Sequence, residues 1–79
     1  MTALTFEEIR KLVQLQLGKR DVREDDRLVE DLGAESADVA NLVATVEEKF
    51  QVTIKEAEIA YIYTPADLFE LVKNRQHGS

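Results

Sequence analysis

Residues 32–50 read LGAESADVANLVATVEEKF, and this stretch decides how the rest of the chain must fold. Val39, Leu42, Val43, Val46 and Phe50 recur at three- and four-residue intervals, which puts them on one face of an α-helix. At about 100° per residue, Ala37, Ala40, Asn41, Ala44 and Glu48 fall on roughly the opposite face. The helix therefore has a greasy inner face and an outer face of small residues. A tight approach, Leu32-Gly33-Ala34, delivers Ser36 to its N-terminal tip. The remaining residues read as the scaffold that holds this helix and presents that serine.

Upstream, Thr5-Phe6-Glu7-Glu8 has the form of a capping box, with Thr5 as N-cap and Glu8 reaching back. Phe6, Ile9, Val13 and Leu17 share one stripe, predicting a first helix over 6–17 with Leu12 beside the stripe and Leu15 on the far side. Gly18 is a natural C-terminal stop. Residues 19–35 form a long charged connection, a length uncommon unless the loop has a task. Val22, Leu28, Val29 and Leu32 are expected to pin it across the core, with Asp25 and Asp26 in a turn.

Downstream, Val52 and Ile54 are expected to point inward from an extended linker, followed by a short helix over 56–60 with Ile59 and Ile62 turned inward. Thr64-Pro65-Ala66-Asp67 opens a last helix: Thr64 caps, Pro65 sits where a missing N–H costs nothing, and Asp67 suits the helix dipole. Leu68, Leu71 and Val72 supply its buried stripe, with Phe69 beside it, and residues 74–79 carry no pattern. The expected fold is all-α, a small four-helix bundle with three main helices, a short third helix and a long first loop. Residues 1–76 are expected to form its one domain, with His77-Gly78-Ser79 a disordered tail or a cloning remnant.

A chain of 79 residues supports only a thin core. Without cysteine it has neither a disulfide framework nor a thiolate metal site. No run approaches the roughly 18 apolar residues of a membrane span, and MTALTFEEIRK lacks the basic-then-apolar order of a signal peptide. A cytoplasmic monomer is the expectation. The net charge of −6 argues against nucleic acid as a partner and favours enzymes with basic docking patches.

Intrinsic catalysis has little to work with. The single histidine, His77, lies in the tail, where nothing would hold it beside Ser36 to build a triad. Gly18, Gly33 and Gly78 are isolated and make no phosphate loop. Glu24-Asp25-Asp26 and Glu30-Asp31 lack the alternating ligands of a calcium loop and read as solvated. No catalytic residue and no metal ligand is expected. Ser36 has two readings. It is an ordinary N-cap, or Glu35 caps and Ser36 becomes the first helical residue with a free hydroxyl. In the second case the unpaired N–H groups and positive dipole end suit a phosphate ester.

At these residues the chain resembles the acyl carrier protein family. LGAES, followed by a helix closing in VEEKF, is similar to that family's Leu-Gly-Ala-Asp-Ser-Leu signature and acidic second helix. The likeness extends over nearly the whole chain, from the capped first helix through the VTI linker to Thr-Pro opening the fourth. It implies a carrier and not an enzyme. Ser36 would be esterified with 4′-phosphopantetheine by a phosphopantetheinyl transferase, and the arm's thiol would carry acyl groups as thioesters. A chain without cysteine must import such a thiol. The resemblance also implies that an acyl chain lodges between helices against Val43, Val46, Ile54, Ile62 and Leu68. Acyl-loading and acyl-processing enzymes would then meet Glu35, Ala37, Asp38, Asn41, Ala44, Glu47 and Glu48.

The departures from the family carry information. Glu35 replaces the usual Asp and Ala37 the usual Leu, while Ala40, Asn41 and Ala44 stand where fatty-acid-synthesis carriers tend to have larger or acidic side chains. The recognition face is trimmed, which points to a specialised lipid or polyketide-type pathway; neutral drift on an exposed face is the alternative. An aminoacyl or peptidyl carrier shares the same serine-arm logic, and an unmodified helical adaptor would use Ser36 only as a cap.

Overall fold

A computed structural model describes residues 4–77. Its helices are α1 (Phe6–Leu17), α2 (Ser36–Phe50), α3 (Glu56–Ile59) and α4 (Pro65–His77), with no strand among the described residues. The bundle is all-α with a short third helix, as the periodicity predicts. Two boundaries differ, α3 ending at Ile59 instead of Ala60 and α4 running further than expected. Residues 74–77, unpatterned in sequence, continue α4, because extending a formed helix adds one hydrogen bond per residue without a new nucleus. Gly78 and Ser79, the rest of the expected tail, lie outside the described residues.

The helix ends follow local chemistry. Thr5 Oγ1 accepts the Glu8 N–H at 3.3 Å. The return half of the expected box is not made, and Glu8 Oε2 is enclosed without a hydrogen-bond partner. At α4 both halves of a box are made: Thr64 Oγ1 accepts the Asp67 N–H at 3.1 Å, and Asp67 Oδ2 accepts the N–H groups of Thr64 and Tyr63 at 3.1 and 3.0 Å. Gly18 ends α1 in the left-handed region at φ 65°. Gln51 does the same for α2 at φ 56°; lacking glycine's freedom, it is helped by its side chain, which donates to the Glu48 carbonyl at 2.7 Å.

The core joins Ile9 and Val13 of α1, Leu42, Val43, Val46 and Phe50 of α2, and Leu68 and Val72 of α4. Val39 is half-buried at its margin. Val22, Leu28 and Leu32 pin the first loop to this core as expected, but Val29 does not; it is 59% exposed. The reason is a helical turn at 27–32, closed by Asp31 N–H and Leu32 N–H onto the Arg27 carbonyl at 2.9 and 3.0 Å. In that turn residues 28 and 32 share the inner face and 29 is rotated off it. Leu15 faces solvent, at 81% exposed. Phe6 and Phe69 meet edge to face at 5.8 Å between centroids, tying α1 to α4.

Backbone hydrogen bonds fasten the loop to the other end of the chain. Leu28 N–H donates to the Tyr63 carbonyl at 2.8 Å, and Ala66 N–H to the Glu24 carbonyl at 3.0 Å. Some acidic residues read as merely solvated have tasks here. Asp26 Oδ2 accepts the Arg23 N–H at 2.8 Å, and Asp31 Oδ2 accepts the Arg27 N–H at 2.9 Å. The Arg27 side chain beside Asp31 holds that carboxyl below its ordinary value.

Glu58 links α3 to α4. Its carboxylate accepts the Lys55 N–H at 2.9 Å and pairs with Arg75. The Lys55 N–H first, and Arg75 after it, outweigh desolvation and lower its pKa. A carboxyl lowered in the folded state stabilises it fully above the unfolded pKa of about 4.3 and loses that contribution as pH falls through the lowered value. Glu58→Gln is therefore expected to flatten the acid-side decline of the melting temperature below about pH 5. Thermal melts at stepped pH check this; a parallel decline in the two proteins would show that Glu58 contributes nothing to it.

Candidate functional site

Gly33, at φ 72°, and two short hydrogen bonds shape the approach to α2: Gly33 N–H to the Val29 carbonyl at 3.1 Å and Ala34 N–H to the Leu28 carbonyl at 2.8 Å. Ala34 is buried, which the sequence reading did not anticipate, and it anchors the chain two residues before Ser36. Glu35 is the N-cap in extended conformation; its carbonyl accepts the Val39 N–H at 3.1 Å. Asp38 Oδ2 accepts the Glu35 N–H at 3.0 Å. The capping position is thus filled by Glu35, and Ser36 is the first helical residue. Its side chain is exposed, and its hydroxyl makes no hydrogen bond among the described residues.

This geometry fits an attached phosphate. A helix N-terminus offers partial positive charge and N–H groups without intrahelical acceptors, and the exposed hydroxyl is oxygen available for an ester. Asp38 has already turned its carboxylate back onto Glu35.

Along α2, Ala37, Asn41, Ala44 and Glu48 are exposed with Ala40 and Thr45, while Asp38 is half-buried. Thr45 Oγ1 donates to the Asn41 carbonyl at 3.0 Å. Glu47, like Asp38, already holds a backbone N–H within the fold. It is half-buried, and its Oε2 accepts the Ile54 N–H at 2.8 Å, holding the link between α2 and α3. That link crosses a helix end, which no helical pattern reveals. Val43, Val46, Ile54, Ile62 and Leu68 are all brought together in the buried core. Two surface grooves lie instead against α1 and the first loop and include none of the five. No group of three potential metal ligands occurs among the described residues. Tyr61 and Tyr63, absent from the sequence expectations, are exposed, and the Tyr63 carbonyl is bonded to Leu28 of the first loop.

The phosphopantetheine attachment site family matches residues 7–72. An acyl carrier protein of Sulfurovum sp. (strain NBC37-1) is 38% identical over 71 residues, covering 87% of this chain and 95% of the relative. One from Wolinella succinogenes is 37% identical over 73 residues, covering 90% and 96%. Among solved structures, the oxytetracycline acyl carrier protein superposes with a TM-score of 0.79 at 26% identity, covering 99% of this chain and 87% of that one. The fold is also that of 3-oxo-butyl-ACP, an intermediate mimic from the actinorhodin polyketide synthase of Streptomyces coelicolor, with a TM-score of 0.77 at 24% identity over 99% and 96% of the two chains. Among the described residues no helix is long and apolar enough to cross a membrane.

Proposed function

Because this chain belongs to the acyl carrier protein family, whose domain is the attachment site of 4′-phosphopantetheine, we infer that Ser36 is the residue that bears the arm. The protein is a carrier and not an enzyme. When attached, the arm supplies the thiol on which acyl groups travel as thioesters, a group this cysteine-free chain lacks. The observation that supports Ser36 is its exposed, unbonded hydroxyl on the first residue of α2. In the reading, Ser36 Oγ gives up its proton and bonds to the phosphorus of the arm as the nucleotide of coenzyme A departs. The N–H groups of the first turn of α2 then face the phosphodiester charge. Intact mass before and after incubation with coenzyme A and a broad-specificity phosphopantetheinyl transferase tests it. A single arm-sized gain supports the assignment, and no gain with several transferases overturns it.

Glu35, Asp38 and Glu48 are read as charges for the basic patches of loading and processing enzymes, with Ala37, Asn41 and Ala44 between them. Glu47 acts at one remove by holding the α2–α3 link. An acyl chain would enter the bundle by parting the linker residues Ile54 and Ile62 from Val43, Val46 and Leu68, which are packed together without it. The setting of the reading is the cytoplasm, with the protein a monomer.

The trimmed outer face of α2 supports a specialised lipid or polyketide-type pathway, as does the likeness to the oxytetracycline acyl carrier protein. A leucine contact absent from a docked interface is worth about 1.5–3 kcal/mol, and a missing rim charge mainly slows association. Affinity for a general ketoacyl synthase is therefore expected to rise at least tenfold, the equivalent of about 1.4 kcal/mol, in an Ala37→Leu, Asn41→Glu, Ala44→Met variant. Equal affinity of the native protein would count against specialisation.

A further inference from the structure

Lys11, Gln14, Leu15, Gly18, Lys19 and Arg20 line one open groove where α1 ends and the first loop departs. Hydrogen bonds fix the turn that builds it. The Gln14 carbonyl accepts the N–H of Gly18 and, at 3.1 Å, that of Lys19. The Gln14 side chain donates to the Arg20 carbonyl at 2.5 Å. The exiting chain is thereby held against the helix it has just left. A Cβ placed on Gly18 would meet nothing within 4 Å, so the groove is open at that point.

The groove is charged against the sign of the molecule. Lys11, Lys19 and Arg20 are exposed, and none makes an ion pair among the described residues. No acidic side chain lines it. Glu7, one turn before Lys11, is engaged by Arg10, and Asp21 follows Arg20 outside the lining. The chain as a whole carries −6, so three unpaired cations at one end of α1 make a positive site in a negative surround. Between them Leu15 is 81% exposed. Lys11, Leu15 and Lys19 are spaced by four residues, which sets the two lysines on the order of 12 Å apart along the axis. Lys19 and Arg20 also face the negative end of the α1 dipole, but that contact asks nothing of Lys11 or of an exposed leucine between the charges.

We propose that this groove docks an acidic amphipathic helix of a partner protein, one with carboxylates two turns apart and a large apolar side chain between them. Charge complementarity and spacing together select this occupant. A phosphate is too small to reach both lysines and leaves Leu15 in water. A membrane surface is a plane, which does not enter a groove, and its anionic headgroups would repel the rest of this acidic chain. A helix places residues at i, i+4 and i+8 along one face with the same rise as the groove. Its apolar residue then covers Leu15 while its carboxylates meet Lys11 and Lys19, with Arg20 at the rim. The Gln14 bond to the Arg20 carbonyl sets the turn before any partner arrives. The inference does not depend on Ser36: the enzymes read as meeting α2 bring basic patches, and this groove takes a partner of the opposite charge.

The probe is an alanine-based helical peptide carrying Glu, Leu and Glu at four-residue intervals, titrated into the full chain. Amide chemical shifts locate the binding, and fluorescence anisotropy of the labelled peptide measures it. Shift changes should concentrate at residues 11–20. Lys11→Glu, Lys19→Glu is expected to weaken binding at least tenfold, and Leu15→Ser about tenfold. Lys49→Glu, Lys73→Glu alters net charge by the same amount at exposed positions outside the groove, and should keep the parent affinity within about twofold. Circular dichroism and melting confirm that each variant is folded. A peptide that leaves residues 11–20 unmoved overturns the proposal, as does an equal loss in the two lysine variants, which would reduce the binding to net charge. An unchanged affinity in Leu15→Ser, with inorganic phosphate moving the same residues, would make this a small-anion site and overturn it. Tighter capture by phosphatidylglycerol vesicles than by the peptide would assign the groove to a lipid surface and overturn it as well.

Discussion

Ser36→Ala is expected to lose the arm completely and to keep its stability. Incubated with coenzyme A and transferase, the variant should show no gain in intact mass while the parent gains one arm. Its unfolding free energy in urea should change by less than about 0.5 kcal/mol, the usual range for an exposed residue without a special contact. The pairing of results separates the two uses of a serine at a helix start. A capping serine replaced by alanine costs about 0.5–2 kcal/mol, because one of the first backbone N–H groups loses its acceptor. Here Glu35 occupies the cap position and Asp38 closes back onto it, so the Ser36 hydroxyl bonds nothing in the fold. Alanine at a first helical position even has the better helix propensity. A variant that melts much earlier than the parent would show that the hydroxyl holds α2 together, and a variant that still gains the arm would move the attachment elsewhere.

Leu68→Ala is expected to show the largest stability effect. Leu68 is fully buried on α4, in the same core as Val43, Val46, Ile54 and Ile62. Truncation loses the transfer free energy of the removed carbons and leaves a cavity that the helices only partly close, at a cost of about 2–5 kcal/mol. A chain of this size has a total stability of only about 4–12 kcal/mol. The loss is therefore a large share of the whole, and the melting temperature should fall by 10 °C or more on the scale of about 4–8 °C per kcal/mol. Leu15→Ala is the comparison, with a shift within about 0.5 kcal/mol because that side chain is already in water. Similar melting of the two variants would mean that Leu68 is not packed in the native core.

The two variants also divide the molecule by task. The hydroxyl that is proposed to accept the arm is free of the fold, so chemistry there can change without unfolding the carrier. The residues proposed to line the acyl chain are the core itself. A carrier that shelters cargo must then open the packing on which its own stability depends, and in a bundle this small the exchange is between comparable apolar contacts.

Much of this was legible in the chain before any coordinates. The spacing of apolar residues marked α1, α2 and the start of α4, since burying one stripe is how so short a chain shelters apolar surface, whereas α3 buries no residue and has no such stripe. Thr64-Pro65 and Gly18 marked ends by local chemistry, and LGAES with the helix behind it carried the family resemblance. Other features depended on groups distant in sequence. Whether Glu35 or Ser36 caps α2 was left open, because both can cap and the outcome follows from how buried Ala34 and the Leu28 hydrogen bonds deliver the chain. Val29 looked like a core anchor until the turn at 27–32 rotated it to the surface. Glu47 looked like a free charge until Ile54 claimed it across the helix end. Periodicity and caps are written by neighbours a few residues apart and can be read from order alone; which face of a loop turns inward, and what stands beside a distant serine, is decided when nonlocal hydrogen bonds and core packing close together.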